Sequence, residues 1–260
     1  MITQVASNRE VEVEQDPEDL TPKSGFPMNL RFPRVTMVPQ GSMRVTAFFD
    51  LDKTLVACNT GKLFVQDLRA RGEISLAKVL RAFSWLAKYH FSMLDLQQVT
   101  GHVANFLRGR REVDFAEHCQ RLVEDQVLPL LLPAGLRTIE RHRKSGHALA
   151  LLSSSPRYIV EPVAKALSVE AIGATEFEVQ GGCLTGALVG PACYGAGKIH
   201  HAEQLSRSHN LDVPSSFFYT DSYTDLPMLE RVGHQIAVNP DPRLKRTARS
   251  RGWAVENWIE

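Results

Sequence analysis

The chain has almost no excess charge, few cysteines and no cationic leader. With 30 Lys and Arg against 29 Asp and Glu, a formal net charge of +1 and a pI near 7.8, it generates no global field to recruit nucleic acid or an anionic membrane. The four cysteines, Cys58, Cys119, Cys183 and Cys193, include no CxxC pair. A chain this long needs no disulfide framework, so reduced thiols in a cytoplasm are expected. Residues 1–25 carry Glu10, Glu12, Glu14, Asp16, Glu18 and Asp19 and no cationic leader before an apolar segment, so no signal peptide is expected there. What is present is 260 residues at 43% hydrophobic content, enough to bury about three quarters of the unfolded surface in one large domain, or in a core plus an insertion.

Residues 1–42 are acidic and then punctuated by Pro17, Pro22, Pro27, Pro33 and Pro39, a composition that buries little apolar surface and is expected to form a disordered or loosely attached tail. Met43 is an alternative start. Beyond it, apolar runs predict strands at Val45–Asp50, His147–Ser153, Ala171–Thr175, Phe217–Thr220 and Gln235–Val238, alternating with helical patterns at Tyr158–Leu167, Lys198–Ser206 and Asp225–Val232. Alternating strand and helix predicts an α/β fold with a parallel sheet. Gly181-Gly182, between Glu176–Val179 and Cys183–Leu188, predicts a hairpin attached to that sheet.

Roughly 90 residues separate the first two strands, far more than a crossover needs, and they are patterned as helices. The division expected is a core over 43–62 and 135–260 and a helical cap inserted at 63–134, with helices at Leu63–Arg71, Ser75–Phe91, Asp95–Leu107 and Glu112–Val127. The second has an apolar stripe (Leu76, Val79, Leu80, Phe83, Leu86, Ala87) with Trp85 and Tyr89. Cap core is its plain reading, a lipid-contacting face the alternative; Lys78, Arg81 and Lys88 exclude a membrane span.

The most informative segment is Phe48-Phe49-Asp50-Leu51-Asp52-Lys53-Thr54-Leu55, an apolar strand ending in two carboxylates one residue apart. Ligands of open α/β sheets bind beyond the strands' carboxyl ends, and paired carboxylates there call for a divalent cation or a division of acid and base roles. By itself the segment is equally a strand followed by a capped turn. Ser153, with Ser154 and Ser155, ends a second apolar run before Pro156 and serves as an oxyanion seat, a helix cap or both. Lys198 lies in Gly195-Ala196-Gly197-Lys198, which is no P-loop: Ala192 stands where the first glycine belongs, and Ile199 where Ser or Thr is required. Phe217-Phe218-Tyr219-Thr220 leads into Asp221 and, one helical turn on, Asp225.

Taken together these residues resemble the haloacid dehalogenase superfamily, in its phosphoserine-phosphatase-like branch (subfamily IB): DxDxT at Asp50 to Thr54, the strand-end Ser153, Lys198, and DSxxD at Asp221 to Asp225, over about Val45 to Val238. The resemblance implies a Rossmann-like core with an inserted helical cap and a phosphatase acting on a small phosphorylated metabolite. It makes Asp50 the nucleophile and Asp52 the acid and base. Thr54, Ser153, Ser154 and Lys198 bind the phosphate. Mg2+ is held by Asp50, the Asp52 carbonyl and Asp221, with Asp225 in support or a ligand through water. The pattern departs at Asn59, where phosphoserine phosphatases of the branch carry a glutamate that grips the substrate's ammonium; a neutral amide forfeits that charge-assisted bond, which argues against phosphoserine. Arg108, Arg110 and Arg111, with Arg69 and Arg71, are candidates for an anionic substrate group or a solvated face, and His90, His118, His200 and His201 have no ligand spacing. An amino-alcohol phosphate such as histidinol phosphate fits, with a lipid phosphate or a non-catalytic phosphate-sensing role as alternatives; a sensor has no need of Asp52. Oligomeric state leaves no trace in the sequence.

Overall fold

The computed structural model describes residues 43–74 and 96–259; the expected tail (1–42) and the expected helix Ser75–Phe91 lie outside the described residues. Six parallel strands form the main sheet in the order β3-β2-β1-β6-β7-β8: β1 (Arg44–Phe49), β2 (Ala148–Pro156), β3 (Ala171–Thr175), β6 (Leu211–Thr220), β7 (His234–Val238) and β8 (Ala254–Glu256). Phe48 of β1 pairs with Ala150 of β2 on one side and Phe218 of β6 on the other. Both faces of the central strands are buried, so they appear in sequence as continuous apolar runs rather than alternating ones. Phe48, Ala150, Leu152, Phe218 and Ala237 pack under α6 (Ala196–His209), α7 (Leu226–Leu229) and α8 (Pro242–Arg251); Phe49, Leu151, Tyr219, Ile236 and Val238 pack under α4 (Pro133–Lys144) and α5 (Arg157–Ala166). Phe48 and Phe49 are fully buried, and truncating either to Ala costs about 3–5 kcal/mol.

Of the expected cap, three helices are described: α1 (Thr60–Ala70), α2 (Leu96–Phe106) and α3 (Glu112–Leu122), the last running on into a π-helical turn, Val123–Val127. Phe115, Cys119 and Leu122 of α3 join the core under α5. The hairpin β4 (Phe177–Gln180) and β5 (Cys183–Leu188) turns through Gly181 and Gly182, both at positive φ, as a two-residue hairpin requires. It forms its own two-stranded sheet instead of joining the main one, because its backbone pairs with residues 109–112: Gly109 donates to the Leu184 carbonyl at 2.8 Å, Leu184 to that of Arg110 at 2.9 Å, and Glu112 to that of Gly182 at 2.9 Å.

Local chemistry sets the remaining boundaries. Asp241 caps α8 by accepting from Arg243 N at 2.7 Å and Leu244 N at 2.9 Å, with Pro242 at the favoured first position. Asn210, at φ 59°, ends α6 in the left-handed conformation. The helix expected over Asp225–Val232 is only Leu226–Leu229 after a 3-10 turn at Tyr223–Asp225. The chain must reach β7 through Gly233, where a Cβ would lie 2.6 Å from the Pro214 carbonyl oxygen.

Candidate active site

From β1 the chain order steps outward to β2 and β3, then returns to β1's other side for β6, β7 and β8. This switch point opens a crevice at the carboxyl ends of β1, β2 and β6, where such sheets bind ligands. Asp50 follows β1 directly, its amide donating to the Tyr219 carbonyl of β6 at 2.9 Å. Beyond it the chain folds back tightly, with the amides of Leu55 and Val56 both bonded to the Leu51 carbonyl, at 3.0 and 3.1 Å. Lys53 takes a left-handed φ of 56°, a strained conformation for a non-glycine residue of the kind that gathers at functional sites.

Lys198, on the first turn of α6, is 2% exposed. Its Nζ donates to Asp50 Oδ1 and to Asp225 Oδ2, both at 2.7 Å, and Thr220 Oγ1 donates to the same Asp225 oxygen at 2.6 Å. The close approach of α6 that allows this depends on Gly197, where a Cβ would fall 2.0 Å from the Ala192 carbonyl oxygen. Ser153, near the carboxyl end of β2 where its pairing with β3 shifts register, is 1% exposed, and its hydroxyl accepts from the Ser155 amide at 3.2 Å. Asp52 Oδ1 accepts from the Thr60 amide at 3.1 Å.

Burial pushes the Asp50 carboxyl up to about 7, with Lys198 opposing and the Asp225 and Asp52 charges adding to the rise. Asp221 is pushed up to about 8, by burial and then by the Asp50 charge. Asp52 is raised by burial, against which the Thr60 amide and hydroxyl favour its charged form. Burial also works against the Lys198 ammonium, but Asp225 and Asp50 more than compensate, so it stays charged. The crevice is thus short of positive charge. Among the described residues no three His, Cys, Asp or Glu side chains form a ready metal cage, and Asp225 is committed to Lys198 and Thr220. The donors left are the Asp50 and Asp221 carboxylates and the Asp52 carbonyl. That set suits Mg2+, which takes hard oxygen, binds through one or two carboxylates and keeps several waters.

The other residues singled out in the sequence are placed as follows. Thr54 is fully buried, its hydroxyl without a partner among the described residues. The Ser154 carbonyl accepts from Thr175 Oγ1 at 2.9 Å. Asn59 is the N-cap of α1, its Oδ1 taken by the Lys62 amide at 3.0 Å. Arg110 and Arg111 line a cavity of about 350 Å3 with Arg71, Arg121 and His118. Arg110 is paired with Glu73 at 2.8 Å, Arg111 with Asp114 at 3.6 Å, and His118 with Asp67 at 2.5 Å. Arg71 follows the last turn of α1, about 16 Å along the helix from Thr60 at 1.5 Å per residue, so the cavity lies at the end of α1 away from Asp52. Arg108 packs beside Gly186.

Sequence reasoning passed over three residues that frame the site: Thr60, Asn239 and Asp241. Thr60 and Ser155 share a hydroxyl–hydroxyl bond of 2.7 Å. Asn239 donates from Nδ2 to the Lys53 carbonyl at 3.1 Å. Asp241 Oδ2 accepts from the Tyr223 amide at 2.6 Å, while its own amide bonds the Asp221 carbonyl at 2.8 Å. The usable signal was Asn239-Pro240-Asp241-Pro242, a turn cluster closing another apolar strand at the same edge of the sheet.

The haloacid dehalogenase-like hydrolase family model matches residues 47–230, and the chain belongs to that family. It is 34% identical over 217 residues to a probable phosphatase of Mycobacterium tuberculosis, covering 82% of this chain and 75% of that one. It is 28% identical over 222 residues to the histidinol-phosphatase of Neisseria meningitidis, covering 83% of this chain and all of that one. A solved structure described as a phospho-aspartyl intermediate analogue of phosphoserine phosphatase shares the fold at a TM-score of 0.62 and 17% identity, covering 85% of this chain and 95% of that chain.

Proposed function

We propose that the chain is a Mg2+-dependent phosphatase that hydrolyses a phosphate monoester of a small organic metabolite through an aspartyl phosphate on Asp50. The observation that carries this reading is the division of labour between two carboxylates separated by one residue. Asp50 is fixed by the Lys198 ammonium at 2.7 Å, while Asp52 is turned to the start of α1 and bonded to the Thr60 amide.

An Asp50 oxygen attacks phosphorus as the bond to the leaving oxygen breaks, and Asp52 delivers its proton to that oxygen. Asp52 then takes a proton from the water that attacks the phosphoaspartate, releasing inorganic phosphate and restoring Asp50. Lys198 and Ser153 stabilise the charge spread over the phosphoryl oxygens, with Asp225 and Thr220 holding the lysine in place. Mg2+, when held by Asp50, Asp221 and the Asp52 carbonyl, offsets the repulsion between a carboxylate nucleophile and an anionic phosphate.

Substrate choice is assigned to the cap inserted over 63–134. Asn59 spends its acceptor within α1, consistent with a substrate other than phosphoserine, and the name of the Neisseria relative favours an amino-alcohol phosphate such as histidinol phosphate. Among the described residues no helix is long and apolar enough to cross a membrane, and a cytoplasmic metabolite is the substrate class proposed. The test is phosphate release from a panel of phosphorylated metabolites, lipid phosphates included, with and without Mg2+. Release that needs Mg2+ and disappears in Asp50→Asn is expected. A folded protein that binds phosphate and hydrolyses no member of the panel would instead be a phosphate-sensing module.

A further inference from the structure

The acid–base carboxylate of Asp52 is held from the start of α1, the helix that leads from the core into the expected cap. Thr60 is the first residue of α1, so its amide is one of the donors that a helix start leaves without an intrahelical partner. Asn59 satisfies Lys62 N, and the Thr60 amide is left for Asp52 Oδ1 at 3.1 Å, where the helix dipole also favours a carboxylate. Thr60 is itself pinned. It is 1% exposed, its hydroxyl lies 2.7 Å from Ser155 Oγ, and the Ser155 amide donates to Ser153 Oγ at 3.2 Å. A chain of hydrogen bonds therefore runs from the strand end expected to seat the phosphoryl group, through two buried hydroxyls, to the group expected to protonate the leaving oxygen.

We propose that Thr60, clamped by Ser155, is the positioning residue for Asp52 and couples α1, the helix leading into the expected cap, to proton transfer in catalysis. This rests on the phosphatase reading above. With the clamp removed, the start of α1 keeps its cap and the packing of Leu63 and Phe64 on the core, and the Thr60 amide is expected to hold the carboxylate less closely. Misplacing a reacting group by about 1 Å can cost up to about 100-fold in rate.

Thr60→Val keeps the shape and removes the hydroxyl, Thr60→Ser restores it, and Ser155→Ala removes the partner. Each is assayed by kcat/KM on p-nitrophenyl phosphate, whose leaving group departs readily as a phenolate, and on phenyl phosphate, whose leaving oxygen needs the proton. Melting temperatures establish that each variant is folded. The expected result for Thr60→Val is a loss of about 10- to 100-fold on phenyl phosphate and less than about threefold on p-nitrophenyl phosphate. Ser155→Ala is expected to move in the same direction, and Thr60→Ser to return most of the activity. Equal losses on both substrates would mark Thr60 as merely structural, and no loss on either would deny it a role; both overturn the proposal. Absence of Mg2+-supported turnover by the parent chain on both esters would overturn the phosphatase reading and this inference with it.

Discussion

Lys198→Met removes the ammonium that two buried carboxylates of the site share. The ammonium serves two buried carboxylates at 2.7 Å each, a gross attraction of about 6 kcal/mol per pair at an effective dielectric of about 20, most of which is offset by the cost of burying the ions. Removing one partner of a buried pair leaves an uncompensated charge at a net cost of about 3–5 kcal/mol. Because one cation here answers two anions, the upper end applies: a loss of about 5 kcal/mol, or about 10–20 °C in melting temperature for a domain of this size. Thr220 Oγ1 still donates to Asp225, so the damage centres on Asp50, whose carboxyl burial already holds near 7. Urea denaturation of parent, Lys198→Met, Asp225→Asn and the double variant measures the effect. In the double variant one orphaned charge is gone, and about 2–3 kcal/mol of the summed single losses should be recovered as coupling. A loss below about 1 kcal/mol for Lys198→Met, or strict additivity, would refute the account of Lys198 as the counter-charge of both carboxylates.

His142 is 4% exposed, and its ring, bonded to Tyr219 Oη and His147 Nδ1 at 2.8 Å, is lowered to about 4, by burial first and then by His147, Arg141 and His234. The folded protein therefore binds fewer protons than the unfolded chain, so this contribution is complete above about pH 6.5 and is lost as pH falls toward 4, amounting to about 2–3 kcal/mol. Urea melts at pH 7.5 and 5 should show that slope, and His142→Gln should flatten it; an unchanged slope would contradict the assignment. Gly197→Ala forces a Cβ to within 2.0 Å of the Ala192 carbonyl, and should cost at least about 2 kcal/mol together with most of the turnover, since Lys198 must move; wild-type melting and turnover would refute the packing argument. Asn59→Ala should lose about 1 kcal/mol as a lost helix cap while KM for the preferred substrate changes less than about threefold. A tenfold rise in KM would give Asn59 a substrate contact as well.

The sheet was legible because its central strands are buried on both faces and appear as unbroken apolar runs: Ala171–Thr175 was placed to the residue, and Val45–Asp50 to within one. The helix Pro133–Lys144 was missed because its buried positions include Gly135, Thr138 and His142, which give a weak apolar stripe. Pro242–Arg251 buries only Leu244 and Ala248 amid five cationic residues, and Ala254–Glu256 is a three-residue edge strand. In the site, Asp50, Asp52, Ser153, Lys198, Asp221 and Asp225 stood out because charged and hydroxylic residues interrupt apolar strand ends or open a helix. Thr60 did not, and Ser155 stood out only as a further donor beside Ser153. Each is an ordinary cap or turn residue in sequence, and their bond joins positions 95 apart that only the fold brings together. The hairpin was recognised from Gly181-Gly182 but assigned to the wrong sheet, since nothing local encodes its pairing with residues 109–112.

The central claim is that Asp50 carries the phosphoryl group during turnover. Quenching the enzyme at steady state with Mg2+ and its preferred substrate, then reducing with borohydride, converts an aspartyl phosphate to homoserine. Peptide mass spectrometry should find homoserine at position 50, and none when substrate is omitted. Rapid Mg2+-dependent phosphate release, with unmodified aspartate at position 50 at every quench time and in single-turnover mixing, would contradict the account and point to direct attack by water.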